Sequence, residues 1–368
     1  MDSGYNTRLV DALNAYFPQD INHFVYRNAR NFPKNYENCV LDSTLFSPEQ
    51  INLQSEVYDQ VFLHSLFLQD REILRLSDAA AAKIVWVVWG HDLYKALPTW
   101  RWNPRSICYF GYKWLQRHNI FTARQRKHAA SKISRFRCIA IGYPYDEILI
   151  RRKFGDRVPV RYGPYFTKDS NIQIMEDLRK LHLDNKHDVT NIMIGHNGGA
   201  FLQHEKYLRK CSRYRNENIH IYLIMSYLAS RERIEEIRKL ADKLYRADQY
   251  TIITQSMPQD EYFRFLTRMD VAIFAYRQQA ALGNVKRLAY FGTKLYFHPD
   301  GVLAKGFREG GVETSDVREV GRVPFATFIK NEVQPPADAP LFSSFHLENS
   351  VNAWSQLLHS EIIYTEDS

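Results

Sequence analysis

The sequence predicts an α/β protein built on parallel, doubly wound sheets, and three observations predict it. Apolar runs of strand length alternate with longer stretches of helical periodicity. One run, Trp86-Val87-Val88-Trp89, ends abruptly in Gly90-His91-Asp92, as a buried strand does when it delivers polar residues to its carboxyl end, where α/β sheets bind ligands. The 368 residues, 45% hydrophobic and 14% aromatic, suffice for two such domains rather than one core.

In the first half, residues 7–17 carry Leu9, Val10, Leu13 and Phe17 at helical spacing. Strands are expected at 23–26, 61–67, 83–89 and 138–141, and basic helices at 105–117 and 123–134. Residues 151–171, rich in Pro, Gly and charge and including Tyr162-Gly163-Pro164-Tyr165, read as a linker. The second half is more regular, with strands at 189–194, 219–225, 250–254, 270–275 and 294–297 and helices at 201–214, 231–244 and 280–291. Ser256 and Gln259 have capping-box spacing around Pro258, so a further helix should run to Met269. The domains expected are 1–160, 161–335, and a tail at 336–368 whose helix packs back on the first domain.

No run of eighteen apolar residues occurs, and Met1-Asp2-Ser3-Gly4 has neither a basic flank nor an apolar core, so neither a spanning helix nor a signal peptide is expected. Cys39, Cys108, Cys138 and Cys211 are scattered without ligand spacing and read as reduced thiols of a cytoplasmic protein. The net charge is +8, and between Leu93 and Tyr145 there is no acidic residue. Arg124, Arg126, Lys127 and other cations there interleave with aromatics such as Trp100, Trp102 and Trp114. That mixture suits the headgroup level of an anionic membrane. Nucleic acid would take the same charge, and an ordinary solvated face is the plain alternative.

Two places in the second half suit phosphate. Asn197-Gly198-Gly199 follows a strand and opens a helix, where backbone N–H groups and the helix dipole favour an anion and glycine permits close approach. An ordinary tight turn explains it equally well. The second is Tyr276-Arg277-Gln278-Gln279-Ala280-Ala281-Leu282-Gly283-Asn284, again between a strand and its helix, so the two can converge on one pyrophosphate.

The segment Trp89-Gly90-His91-Asp92-Leu93-Tyr94 resembles the Trp-Gly-x-Asp-Leu-Tyr turn of the TDP-N-acetylfucosamine:lipid II N-acetylfucosaminyltransferases, glycosyltransferase family 56. Further similarities follow in order: Gly195-His196-Asn197-Gly198 to that family's Gly-Asn-Ser-Gly, His204-Glu205 just beyond, Met225-Ser226-Tyr227 to its Met-Gly-Tyr, and Arg277-Gln278-Gln279 to its Arg-Gln-Gln. The resemblance implies a GT-B architecture, two Rossmann-like domains facing across a cleft. It implies a nucleotide-sugar donor, in the family TDP-N-acetylfucosamine, and a polyprenyl-diphosphate-linked saccharide as acceptor at the inner face of the bacterial plasma membrane. The protein would then be peripheral there, and the basic stretch would have a reason to exist.

On that reading Asp92 is the leading general base, with capping of its own turn as the plain alternative. His64, at the end of another strand and matching a family histidine, is base or acceptor ligand, or simply structural. Arg277 would neutralise the leaving diphosphate, against the alternative of a surface salt bridge. Asn197, Gly198, Gly199, Gln278, Gln279 and Gly283 would hold diphosphate or sugar, and Tyr227 would stack on the base or sit in the core. Trp89, His91, Arg124, Arg126 and Lys127 would face acceptor or membrane. No Asp-x-Asp motif occurs, so neither metal nor cofactor is expected, the nucleotide-sugar being a substrate. Two other classes stay open: a sugar-nucleotide enzyme with a soluble acceptor, and a nucleic-acid-binding module.

Overall fold

A computed structural model describes residues 4–20, 22–26, 37–90, 92–93, 120–166, 171–185, 188–277, 279–331 and 335–360. The helix expected at 105–117, His91 and Gln278 lie outside the described residues. The chain divides into two compact units, Met1–Ser170 with Leu347–Ser368, and Asn171–His346.

The first unit is built on a parallel sheet in the order β3 (Val61–His64), β4 (Ile84–Val87), β5 (Cys138–Ile141), β6 (Val160–Tyr162). A separate parallel pair, β1 (Phe24–Tyr26) and β2 (Cys39–Leu41), precedes it. β4 and β5 are buried at every residue, as parallel strands covered on both faces should be. Val85 and Val87 pack with Cys138 and Ala140 against α1 (Gly4–Tyr16), whose Leu9, Ala12 and Leu13 lie in the same cluster. Trp86 points to the other face and meets Phe154 edge-on at 5.8 Å. Around this sheet lie α2 (Pro48–Val57), α3 (Asp70–Ile73), α4 (Asp78–Ala81), α5 (Ile120–Ile133) and α6 (Asp146–Phe154). α2 starts where the sequence chemistry says it must, with Pro48 in the first turn and Ser47 accepting from Gln50 N–H.

The stretch read as a linker holds structure. It carries the end of α6 and the edge strand β6, paired in parallel with β5 and tied by Ile139 N–H to Pro159 O at 2.8 Å. A three-residue Val-Arg-Tyr strand between Pro159 and Gly163 has no apolar run to announce it.

The second unit holds a six-stranded parallel sheet. Its strands are β7 (Thr190–Ile194), β8 (Ile219–Ile224), β9 (Tyr250–Ile253), β10 (Val271–Phe274), β11 (Lys294–Phe297) and β12 (Ser315–Asp316), in the spatial order β12-β11-β10-β7-β8-β9. Its helices are α7 (Ile172–Asp184), α8 (His204–Cys211), α9 (Arg231–Leu244), α10 (Gln259–Leu266), α11 (Leu282–Phe291), α12 (Val302–Glu309) and α13 (Phe325–Ile329). Tyr207, Leu208 and Cys211 of α8 and Ile237 and Leu240 of α9 bury one sheet face with Ile192, Ile194, Ile221, Leu223 and Ile273.

Two helix expectations change. The run 201–214 breaks at Gln203, which is left-handed at φ 55, so a 3₁₀ turn, α8 and a second 3₁₀ turn replace one helix. α10 begins at Gln259 with Pro258 as an extended N-cap and no side-chain cap bond; Ser256 lies too far outside to form the expected box.

The last helix of the chain, α14 (Leu347–His359), returns to the first unit. Its Trp354 and Leu357 complete the cluster around Val85, Val87 and α1. Trp354 Nε1–H donates to Pro164 O at 2.7 Å. No helix among the described residues is long and apolar enough to cross a membrane.

Candidate active site

In the second unit the chain runs β7, β8, β9 in one direction and then returns to β10, β11, β12 on the other side of β7. The loops after β7 and β10 therefore diverge, and such a switch point is where an open α/β sheet binds its ligand. The two turns that suit phosphate are these two loops. They are neighbours: Gly195 N–H donates to Ile273 O at 3.1 Å, and His196 meets Tyr276 edge-on at 5.5 Å.

The Asn197-Gly198-Gly199 turn is held on every side. Asn197 Oδ1 accepts from Gly199 N–H at 2.7 Å, and Gly198 N–H donates to Tyr227 O at 2.8 Å. A Cβ on Gly198 would sit 2.2 Å from Ala229 Cβ, so only glycine lets the loops after β7 and β8 touch. Arg233 of α9 donates from Nε to Gly198 O at 2.8 Å and forks onto the Glu205 carboxylate at 2.7 and 3.3 Å. Glu205 stands beside His204 in the sequence, but its partner lies on another helix. Tyr227 is partly exposed at the mouth of β8, beside Leu228, which is left-handed at φ 60. Beneath the turn, His196 and His204 are buried, and burial pushes both imidazoles down to about 4, with each one's charge-bearing neighbours secondary.

After β10, Tyr276 is buried and donates from its hydroxyl to Ala280 O at 2.8 Å, while Ala281 takes a left-handed conformation at φ 51 just before α11. Arg277 is half-exposed; its Nη2 lies 3.4 Å from Asp300 Oδ2 and its Nε 3.2 Å from His298 Nε2. Both partners come from the turn after β11, which Val302 N–H ties back to Arg277 O at 2.9 Å. Sequence reading missed His298 and Asp300, since no motif marks them. Gln279 and Gly283 lie on the same loop and first turn, and Arg287, buried one turn into α11, places its guanidinium 4.0 Å from the Phe263 ring centre. The loop thus offers an exposed guanidinium beside a helix N-terminus, an arrangement that can neutralise a diphosphate.

In the first unit, the mouths of β3 and β4 bring His64, Trp89 and Asp92 together. Asp92 is 7% exposed and both its oxygens are engaged. Oδ2 accepts from Leu66 N–H at 2.9 Å and Trp86 Nε1–H at 2.7 Å, and Oδ1 from Trp89 N–H at 3.1 Å. This bonding is the turn-holding alternative, extended to clamp the loop after β3 onto β4. Trp89 is 41% exposed and meets Tyr165 edge-on at 5.2 Å. Tyr165 Oη lies 2.9 Å from His64 Nδ1, and Trp354 stacks on the His64 ring at 6.4 Å and 11°. Burial pushes the His64 imidazole down to about 4 and the Tyr165 hydroxyl well up, so both are neutral at physiological pH. Tyr165 sat within the supposed linker and Trp354 far along the chain, so sequence could link neither to His64.

Arg124, Arg126 and Lys127 are exposed on α5, apart from these contacts; Lys132 and Arg135 beyond them are engaged with Asp78.

Residues 165–312 match the family described as 4-alpha-L-fucosyltransferase glycosyl transferase group 56. Among solved structures, a glycosyltransferase from Rickettsia africae ESF-5 is similar with a TM-score of 0.54 at 11% identity, covering 88% of this chain and 86% of that one. The HepE protein of Anabaena, in complex with UDP and glucose, gives 0.50 at 11% identity over 84% of this chain and 79% of that one. Sucrose-phosphate synthase from Thermosynechococcus elongatus gives 0.50 at 12% identity over 91% and 84%. At such identities the structural likeness bears on the fold, and the fold these proteins share is GT-B. Residues 165–312 match the group 56 glycosyltransferase family, and the chain is a glycosyltransferase of the GT-B fold.

Proposed function

We propose that this glycosyltransferase moves an N-acetylfucosamine-like amino sugar from a nucleotide-sugar, TDP-N-acetylfucosamine or a close relative, to a saccharide carried on polyprenyl diphosphate at the inner face of the bacterial membrane. The observation that carries the reading is the convergence of two phosphate-suited loops at the switch point of the sheet, inside the segment that matches group 56. In this reading the N-terminus of α11 receives the diphosphate, and the Asn197-Gly198-Gly199 turn, whose Gly198 and Gly199 N–H groups are bonded to Tyr227 O and Asn197 Oδ1, shapes the loop beside it. Arg277 exchanges its loose contacts with His298 and Asp300 for the leaving group, stabilising charge as it develops on the departing nucleoside diphosphate. Tyr227 lies alongside the base, and Gln279 hydrogen-bonds sugar or phosphate. No bound metal is required, because cationic and backbone donors take its place. Trp89 offers an exposed ring to the acceptor sugar, and the cations of α5 hold the protein at an anionic bilayer.

The test is thermal shift against UDP-, TDP-, GDP- and CMP-sugars, followed by transfer to a polyprenyl-diphosphate saccharide in detergent. Selective stabilisation by a TDP-sugar with transfer to the lipid-linked acceptor is expected. Selective stabilisation by a UDP-sugar, or transfer only to free sugars, would replace donor or acceptor in this reading.

A further inference from the structure

The hydrogen bonds at the mouth of the first sheet divide two roles between Asp92 and His64. Among the described residues three N–H donors of the protein itself reach Asp92, and they fix the loop after β3, the indole of β4 and the turn after β4. His64, the last residue of β3, is bonded only through Nδ1 among the described residues. A neutral imidazole has one N–H and one lone pair, and which nitrogen holds which is set by the partner of the other.

Resting on the glycosyl-transfer reading above, we propose that His64 Nε2 accepts the proton of the acceptor hydroxyl, that Tyr165 and Trp354 are positioning residues for its ring, and that Asp92 is the clamp of the strand mouth. Tyr165 Oη lies 2.9 Å from Nδ1, and in the tautomer this step requires it accepts Nδ1–H, leaving the lone pair on Nε2. Trp354 stacks nearly parallel on the ring, and its own N–H is anchored on Pro164 O, next to Tyr165. The helix α14, which returns from the far end of the chain, is thereby part of the acceptor side of the site. Burial keeps the ring neutral, and the titratable group that faces it is Tyr165. In the step itself the acceptor O–H bond breaks and its proton moves to Nε2. The oxygen's electron pair forms the bond to the anomeric carbon. The bond from that carbon to the phosphate oxygen breaks, its electron pair leaving on the nucleoside diphosphate. His64 then returns its proton to water.

Three experiments on the protein test this. Nitrogen-15 NMR of histidine-labelled protein at pH 7 should show His64 with its proton on Nδ1, and Tyr165→Phe should abolish that preference; a proton found on Nε2 in the wild type overturns the proposal whatever the activity. In kinetics, His64→Gln should lower kcat about 10²-fold to 10⁴-fold, the span of general-base catalysis, with donor KM unchanged. Tyr165→Phe should lower kcat about tenfold with the same KM, a split that a merely structural loss would not give. A His64→Gln enzyme within a few-fold of wild-type kcat overturns the assignment. Donor binding by calorimetry on each protein separates the two failures: a wild type that binds no nucleotide-sugar refutes the underlying function and this step with it, whereas intact binding and transfer in His64→Gln refutes the base alone.

Discussion

Asp92→Asn separates a clamp from a base, because it keeps the shape of the side chain and changes only what its two heavy atoms can accept. In the wild type Oδ2 serves two donors, Leu66 N–H and the buried Trp86 Nε1–H, and Oδ1 a third. The single amide oxygen does best in the Oδ2 position, keeping Leu66 N–H and Trp86 Nε1–H, and the NH₂ then faces Trp89 N–H donor to donor. One hydrogen bond from a partly buried N–H to a charged acceptor is lost, a loss of about 2–3 kcal/mol. For a unit of this size each kcal/mol moves the midpoint by about 2–4 °C, so the expected fall is roughly 4–12 °C. Differential scanning calorimetry reads it directly, with turnover measured per folded molecule at a temperature well below both transitions. A variant that melts with the wild type yet loses turnover would refute the clamp and return the base to Asp92.

Arg277→Ala removes charge opposite the leaving group and only a half-exposed ion pair, so kcat should fall on the order of a hundredfold, about 3 kcal/mol, with melting nearly unchanged; near wild-type turnover would remove Arg277 from the site. His64, His196 and His204 have folded-state values near 4, below the ordinary 6.5, chiefly through burial, so the unfolded chain takes up their protons first. Stability from these groups is complete above pH 6.5 and is lost as the pH falls towards 4. Urea midpoints at pH 7.5, 5.5 and 4.5 should decline accordingly, and His204→Leu, at a fully buried position where neither ring nitrogen has a well-aligned partner among the described residues, should flatten the decline; an equal slope in both proteins would contradict the burial argument. Replacing Arg124, Arg126 and Lys127 on α5 by Glu should weaken sedimentation with anionic vesicles at low salt, each cation near the surface contributing about 1 kcal/mol; equal binding by wild type and variant, or none by either, would assign that charge another purpose.

The sequence by itself determined the class of fold and the positions of the glycine-bearing loops that follow two of its strands. Buried parallel strands are short continuous apolar runs, and Ile84–Val87, Cys138–Ile141 and Val271–Phe274 announce themselves because both of their faces are covered. A strand end followed by glycines is equally local, so Asn197-Gly198-Gly199 and the loop from Tyr276 were legible from chain order alone. Edge elements were not: β6 and β12 are too short to carry a period, and the left-handed Gln203 breaks a helix whose periodicity is otherwise intact. Tertiary structure alone decided the order of the strands, which sets the two phosphate-suited loops side by side at the switch point. It alone decided, too, what surrounds each titratable group. Asp92 and His64 look alike in sequence, each a polar residue at a strand mouth. One is saturated by three N–H donors and the other is left with an imidazole nitrogen to use, because the residues that make the difference, Leu66, Tyr165 and Trp354, come from three separate parts of the chain. Hydrogen-bond saturation depends on contacts between distant segments, and no spacing along a sequence encodes it.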